Sequence, residues 1–239
     1  MNVRLLVLGL LAVCGLTSPA SAAYVSVSSR STLAGTDFLD WGSAGAEGAT
    51  PTNPFTITSN GGKSVTVSQA TGTFLRQNQG SLYGGLFANG DKLLVTNQTA
   101  NRGPITINFG TAVSAAGAQF QTNFFGTFTA TVEALNSAGT SLFTYTFTGN
   151  AGSGGGNSAV FAGISTNAGS TFTQLRFTGI SGVTNPNAFA INQLDFTPAA
   201  APPPPTNAVP APPGLMMVLS GAAFAGVTAL IRRRRTVVA

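Results

Sequence analysis

The stretch Thr127-Phe128-Thr129-Ala130-Thr131-Val132-Glu133-Ala134 decides the fold class of this chain. Phe128, Ala130, Val132 and Ala134 fall on one side, and Thr127, Thr129, Thr131 and Glu133 on the other. A period of two with one apolar face is the pattern of a half-buried strand, not of a helix. Asn136-Ser137-Ala138-Gly139 then supplies turn residues. Beyond it, Phe143, Tyr145 and Phe147 alternate with Thr144, Thr146 and Thr148. Two alternating runs joined by a polar turn predict an antiparallel hairpin with one wet face.

The same reading extends in both directions. Phe55–Thr58 and Ser64–Ser68 flank Asn60-Gly61-Gly62 and predict a second hairpin. Lys92–Thr96, Ile105–Phe109, Ala118–Thr122, Ala159–Ser165, Phe172–Thr178 and Ala188–Phe196 read as further strands, with Gly149–Asn157 as a glycine-rich loop, flexible at Gly152–Gly156. That makes about ten to twelve short strands with regular turn signals and no fixed repeat, which predicts a single all-β antiparallel sandwich or jelly roll. Threonine and phenylalanine dominate because β-branched and aromatic side chains pack well on a pleated surface.

Both ends stand apart from this domain. Arg4 followed by the apolar Leu5–Val13 and the small-x-small Ala20-Ser21-Ala22 predicts a secretory signal over residues 1–22, cut between Ala22 and Ala23. Residues 23–197 form the sandwich domain. Residues 198–213 are a proline-rich linker containing Pro202-Pro203-Pro204-Pro205, an extended spacer reaching about 50 Å. Residues 214–231 are uncharged, and as a helix they would span about 27 Å, close to the hydrocarbon core of a bilayer. Arg232, Arg233, Arg234 and Arg235 open the tail, residues 232–239. By the positive-inside rule they stay cytoplasmic, which puts the domain outside the cell.

Composition excludes several functions. The formal charge of +5 belongs to the ends. Between Ala23 and Ile231, Arg30, Lys63, Arg76, Lys92, Arg102 and Arg176 balance Asp37, Asp40, Glu47, Asp91, Glu133 and Asp195. So neutral a body offers no electrostatic footprint for nucleic acid. There is no histidine, and the one cysteine, Cys14, lies in the leader. Zinc sites built on Cys and His, cysteine nucleophiles, histidine triads and disulfides are therefore excluded from the mature chain. The glycine-rich loop lacks the Lys-Ser/Thr of a phosphate loop.

Taken together, the leader, Val209-Pro210-Ala211-Pro212, the apolar segment and the arginine cluster resemble the PEP-CTERM sorting tail of bacterial envelope and exopolysaccharide-associated proteins. The resemblance implies that an exosortase, a membrane-embedded cysteine transpeptidase-like enzyme, processes the chain near Pro210–Pro212. This chain carries Ala211 where the family motif has Glu. The body also resembles a domain that recurs in front of such tails. The matching stretches are Asp40-Trp41-Gly42, Phe74-Leu75-Arg76, Leu86–Asp91, Gly103–Ile107, Gly117–Gln121, Phe125–Ala130 and Phe189–Asn192. That resemblance implies fold and secretion, and no activity.

Candidate sites are few. Asp37, Asp40, Asp91 and Asp195 are the only aspartates, and Asp40 and Asp195 are the candidate calcium ligands if the first and last strands lie together. Trp41, Tyr83 and Tyr145 are the candidates for stacking on sugar rings, with burial in the sandwich as their commoner fate. Glu47 and Glu133 are the only glutamates available for glycoside hydrolysis, which needs two placed carboxylates. The expectation is a non-enzymatic secreted surface or matrix protein, anchored first by its C-terminal helix and needing no cofactor. Its rivals are a carbohydrate-binding module, which requires an exposed aromatic row, and a glycoside hydrolase.

Overall fold

The computed structural model describes residues 24–96, 103–167, 169–181 and 187–200. The signal cleavage site at Ala20, Ala22 and Ala23, the Val209–Pro212 motif, the apolar segment 214–231 and Arg232–Arg235 lie outside the described residues. Among the described residues no helix is long and apolar enough to cross a membrane.

The domain is all-β. In chain order its strands are β1 (Tyr24–Val27), β2 (Asp37–Leu39), β3 (Phe55–Thr58), β4 (Ser64–Gln69), β5 (Phe74–Asn78), β6 (Lys92–Thr96), β7 (Ile105–Thr122), β8 (Gly126–Leu135), β9 (Ser141–Ala151), β10 (Val160–Thr166), β11 (Phe172–Ser181), β12 (Phe189–Ile191) and β13 (Leu194–Pro198). Every pairing between them is antiparallel. A single helical turn, α1 (Arg30–Leu33), and a 3-10 turn at Trp41–Ala44 complete the described elements.

β7 organises the two layers. Its first part pairs with β4 and β11, which leads on to β8 and β9. Its second part pairs with β10, β13 and β12. The change of partner happens at a bulge. Phe172 faces Val113 whereas Gln174 faces Asn108, so several β7 residues are left without a β11 partner. Gly110 sits there with φ of 66°, a conformation that glycine takes without strain, and its N–H donates to Asn108 Oδ1 at 3.0 Å. The hydrogen-bonded sheet is thereby continuous, yet it folds over on itself.

The enclosed core is aromatic. Phe120 of β7 and Phe189 of β12, 4.5 Å apart between centroids, come from one layer. Phe120 meets Phe128, Phe147 and Phe177 of the other layer at 5.5, 5.4 and 6.3 Å. Burying one such ring stabilises the fold by roughly 1.5–3 kcal/mol, and an aromatic pair adds about 0.5–1.5 kcal/mol. A second, smaller core of Tyr83, Phe87, Leu93, Val95, Ala159 and Ala190 lies on the opposite face of β6 and β12, beneath the loop from Gln79 to Asp91. That loop is why Leu93 and Leu94 are both buried although they point to opposite faces.

Three expectations need correction. The runs Ile105–Phe109 and Ala118–Thr122 belong to one strand, because residues 110–117 continue it past the bulge and Ala115–Gly117 lie against β10. A Cβ on Gly117 would lie 2.7 Å from the Gly163 Cα. The run Ala188–Phe196 is two strands, since Asn192 and Gln193 bulge out of the ladder between β12 and β13. The expected Gly149–Asn157 loop starts later, because Gly149–Ala151 pair with β8 as the end of β9, and residues 152–157 are docked: Gly155 N–H donates to Gly85 O at 2.9 Å, Ala88 bridges to Gly156, and Gln121 Nε2 donates to Gly152 O at 2.9 Å.

Candidate functional site around Asn192

The bulge between β12 and β13 places Asn192 where four parts of the chain meet. Its side chain is buried, and every hydrogen-bonding position of the amide is used. Oδ1 accepts from the Gln119 N–H at 3.0 Å and from an Arg30 guanidinium N–H at 3.2 Å. Nδ2 donates to Asp91 Oδ2 at 2.9 Å and to Gln119 Oε1 at 2.5 Å. The Asn192 carbonyl accepts from Trp41 Nε1 at 2.7 Å. One residue thus ties together β7, α1, the 3-10 turn and the end of the Gln79–Asp91 loop.

Two clefts flank this network. The larger, about 440 Å³, is lined by Ser29, Arg30, Ser31, Gln119 and Asn157 over a floor that includes Val160 and Phe161. Ser29 caps α1 by accepting from the Thr32 N–H at 3.1 Å, which fixes the serine-rich wall. Gln119 Nε2 donates to Asn157 Oδ1 at 3.1 Å and to Ala159 O at 3.0 Å, which fixes the opposite wall. The smaller cleft, about 180 Å³, is lined by Asp40, Gly90, Asp91, Lys92 and Gln193. The larger cleft presents hydroxyl, amide and guanidinium groups beside an apolar floor, which is chemistry for a hydroxyl-bearing ligand.

The charges nearby are paired. Arg30 Nε lies 2.6 Å from Asp195 Oδ2 as an ion pair rather than as an aligned hydrogen bond. Burial raises the Asp195 carboxyl above its ordinary value, and the Gln193 amide and Arg30 only partly offset it. Burial also pushes Asp40 upward, but the Gly42 N–H, the Lys92 ammonium and the Arg76 charge together hold it below the usual range. Lys92 Nζ lies 3.0 Å from Asp40 Oδ2.

The calcium expectation does not gather its ligands. Asp40 caps the 3-10 turn through Gly42 N–H at 2.8 Å and faces Lys92, whereas Asp195 faces Arg30. Asp37 accepts from Ser59 Oγ at 2.6 Å and Gly61 N–H at 2.7 Å, which holds the β3–β4 turn against β2. Among the described residues no three acidic or other metal-ligating side chains form a group. Each aspartate is committed to donors within the protein.

Of the two fates open to the aromatics, stacking on a ligand or burial in the sandwich, burial is the one that Trp41 and Tyr83 take. Trp41 is fully buried and Tyr83 nearly so, because one plugs the core beside Asn192 and the other fills the second core. Burial pushes the Tyr83 phenol well up, and its hydroxyl donates to Asn123 Oδ1 at 3.1 Å. Tyr145 is half-buried, packed on Phe147 at 5.9 Å. These three rings form no exposed row. The two glutamates are likewise occupied: Glu47 accepts from the Asn78 and Leu82 N–H groups, and Glu133 pairs with Arg176 at 2.7 Å.

The partnership of Asn192, Gln119 and Arg30 is not legible in the sequence. The available signal was an amide interrupting an apolar run, as in Ala190-Ile191-Asn192 and Ala118-Gln119-Phe120.

No family model matches the chain, and no curated protein matches it. Among solved structures it is similar to a DUF4465 family protein from Bacteroides caccae, at TM-score 0.35 and 10% identity, over 73% of this chain and 100% of that one. It is also similar to CsCBM6-3 from Clostridium stercorarium, solved in complex with cellobiose, at TM-score 0.23 and 13% identity, over 69% of this chain and 95% of that one. Neither supplies a family, and the class of the chain rests on its own strands, which make an all-β antiparallel domain.

Proposed function

We propose that this chain is a non-enzymatic secreted protein of the bacterial envelope, exported behind its leader and sorted by a PEP-CTERM-like tail. In this reading an exosortase-like enzyme acts at Val209–Pro212. The segment 214–231 holds the chain in the membrane beforehand, with Arg232–Arg235 on the cytoplasmic side. The supporting observation is where the folded domain stops. Its first strand begins at Tyr24, two residues after the leader, and its last ends at Pro198, where the linker begins. Removing the predicted leader and the residues beyond Pro212 then cuts none of the described strands.

The test is mass spectrometry of the mature protein from the envelope of a host with the matching exosortase. The expected species begins at Ala23 and has lost the residues beyond Pro212. Full-length protein recovered from the cytosol, with leader and tail intact, overturns the reading.

A second reading concerns the domain itself: with no surface row of Trp41, Tyr83 and Tyr145 the aromatic-stacking module is set aside, and what is left is a domain that holds extracellular polysaccharide through a polar cleft. What favours it is the larger cleft, with Ser31, Arg30 and Asn157 above Val160 and Phe161. Amide, hydroxyl and guanidinium groups of such a cleft can bind the edge of a sugar, and the half-buried Val160 supplies the apolar contact, Phe161 being buried. Affinity electrophoresis through gels containing neutral or uronate-bearing polysaccharides tests it. Retardation by one of them that disappears in Asn157→Ala supports the reading, and unretarded migration in all of them ends it.

A further inference from the structure

We propose that β9 is an assembly edge, pairing antiparallel with β9 of a second copy of this chain about a two-fold axis at Tyr145. A strand at the border of a sheet leaves the N–H and C=O of alternate residues unpaired, so folded proteins shorten, cover or charge such borders. The other borders of this domain are treated that way. A loop lies along β5, with Gly48 N–H on Arg76 O at 2.8 Å, Arg76 N–H on Ala49 O at 2.9 Å and Phe74 N–H on Pro51 O at 3.2 Å. β1 has four residues, β2 three and β3 four, the last entered through Pro54.

β9 is the exception. It has eleven residues, Ser-Leu-Phe-Thr-Tyr-Thr-Phe-Thr-Gly-Asn-Ala, without a charge or a proline. Among the described residues it pairs only with β8.

A second copy fits this edge because the sequence of β9 is self-complementary. With the axis at Tyr145, Tyr145 faces the partner's Tyr145, Phe143 faces the partner's Phe147, and Thr144 faces the partner's Thr146. Apolar side chains meet apolar ones on one face and hydroxyls meet hydroxyls on the other, which are favourable cross-strand pairs. Phe143 and Tyr145 are only half-buried in the single chain, and Phe143 stacks on Tyr24 at 6.0 Å at the open side of the layers. Pairing would cover those rims. No like charges confront each other, since Glu133, beside Thr144, is already neutralised by Arg176 at 2.7 Å. An edge-to-edge contact about a two-fold axis closes after two copies.

Full-length protein in detergent tests this by sedimentation and by hydrogen exchange of the unaltered chain at rising concentration. The expected result is a monomer–dimer equilibrium in which the amides of residues 142–150 become more protected as dimer forms. Thr144→Lys with Thr146→Lys places like charges opposite one another twice and should weaken the dimer roughly tenfold. Mixing that chain with a Thr144→Glu, Thr146→Glu chain should restore association, which separates a lost contact from a lost fold. An unaltered chain that stays monomeric overturns the proposal. So do a dimer untouched by the lysine pair and concentration-independent exchange in β9, which would place association in the C-terminal segment or elsewhere.

Discussion

Asn192 and Gln119 grip each other three times: Gln119 N–H on Asn192 Oδ1 at 3.0 Å, Asn192 Nδ2 on Gln119 Oε1 at 2.5 Å, and Asn192 N–H on Gln119 O at 3.3 Å. The grip replaces the strand ladder where β12 gives way to β13. Removing the Asn192 amide leaves the Gln119 N–H and Asp91 Oδ2 without this partner inside a buried network. Asn192→Ala should therefore cost about 2–4 kcal/mol, since stranded buried polar groups lose their full desolvation energy. Urea unfolding measures it. A loss below about 0.5 kcal/mol would mean that water replaces the amide.

The contrast between two phenylalanines tests the layered core. Phe120 is fully buried and touches rings from both layers, whereas Phe125 is 65% exposed. Phe120→Ala should cost about 3–5 kcal/mol, while Phe125→Ser should stay within roughly 0.5 kcal/mol. Equal effects in denaturant would contradict the packing.

The sequence made the β8–β9 hairpin readable because one of its faces is wet, so alternation survives from Thr127 to Ala134. β1, β2 and β5 are not legible, because three to five residues carry too little alternation to register. β7 reads as two strands because Gly110–Gly117 is rich in small residues, and only the fold assigns them: Gly110 serves the bulge and Gly117 the close contact with Gly163. That Trp41 is buried is expected of a large aromatic in a sandwich, but nothing local in Asp40-Trp41-Gly42 says that its indole reaches a carbonyl 151 residues away. The candidate site failed for the same reason. Its amide pair is separated by 73 positions, and no spacing rule connects them.

Close approach at β7 and β10 predicts a steric penalty. A Cβ on Gly117 would meet Gly163 Cα at 2.7 Å and Ala162 O at 3.0 Å, both backbone atoms that cannot swing away. Gly84 has nothing within 4 Å. Gly117→Ala should lose about 1–3 kcal/mol through overpacking, and Gly84→Ala should be close to neutral. Thermal melting of both variants at one concentration decides it.

Two aspartates should give acid responses of opposite sign. The folded Asp40 carboxyl lies below its ordinary 3.8, so its stabilisation is present above pH 3.8 and disappears as pH falls through the lower folded value. Asp40 is 43% exposed, so screening limits the effect to about 0.5 kcal/mol. The folded Asp195 carboxyl lies above 3.8, so protonation favours the fold below that value, and this contribution is lost as pH rises through the raised folded value. Asp40→Asn should then lose less stability than the unaltered chain on acidification below pH 4. Asp195→Asn should lose more, because the opposing contribution is gone. Urea midpoints collected from pH 6 to pH 2.5 read both slopes. Identical acid limbs for the two variants would show that neither carboxylate is held as its neighbours require.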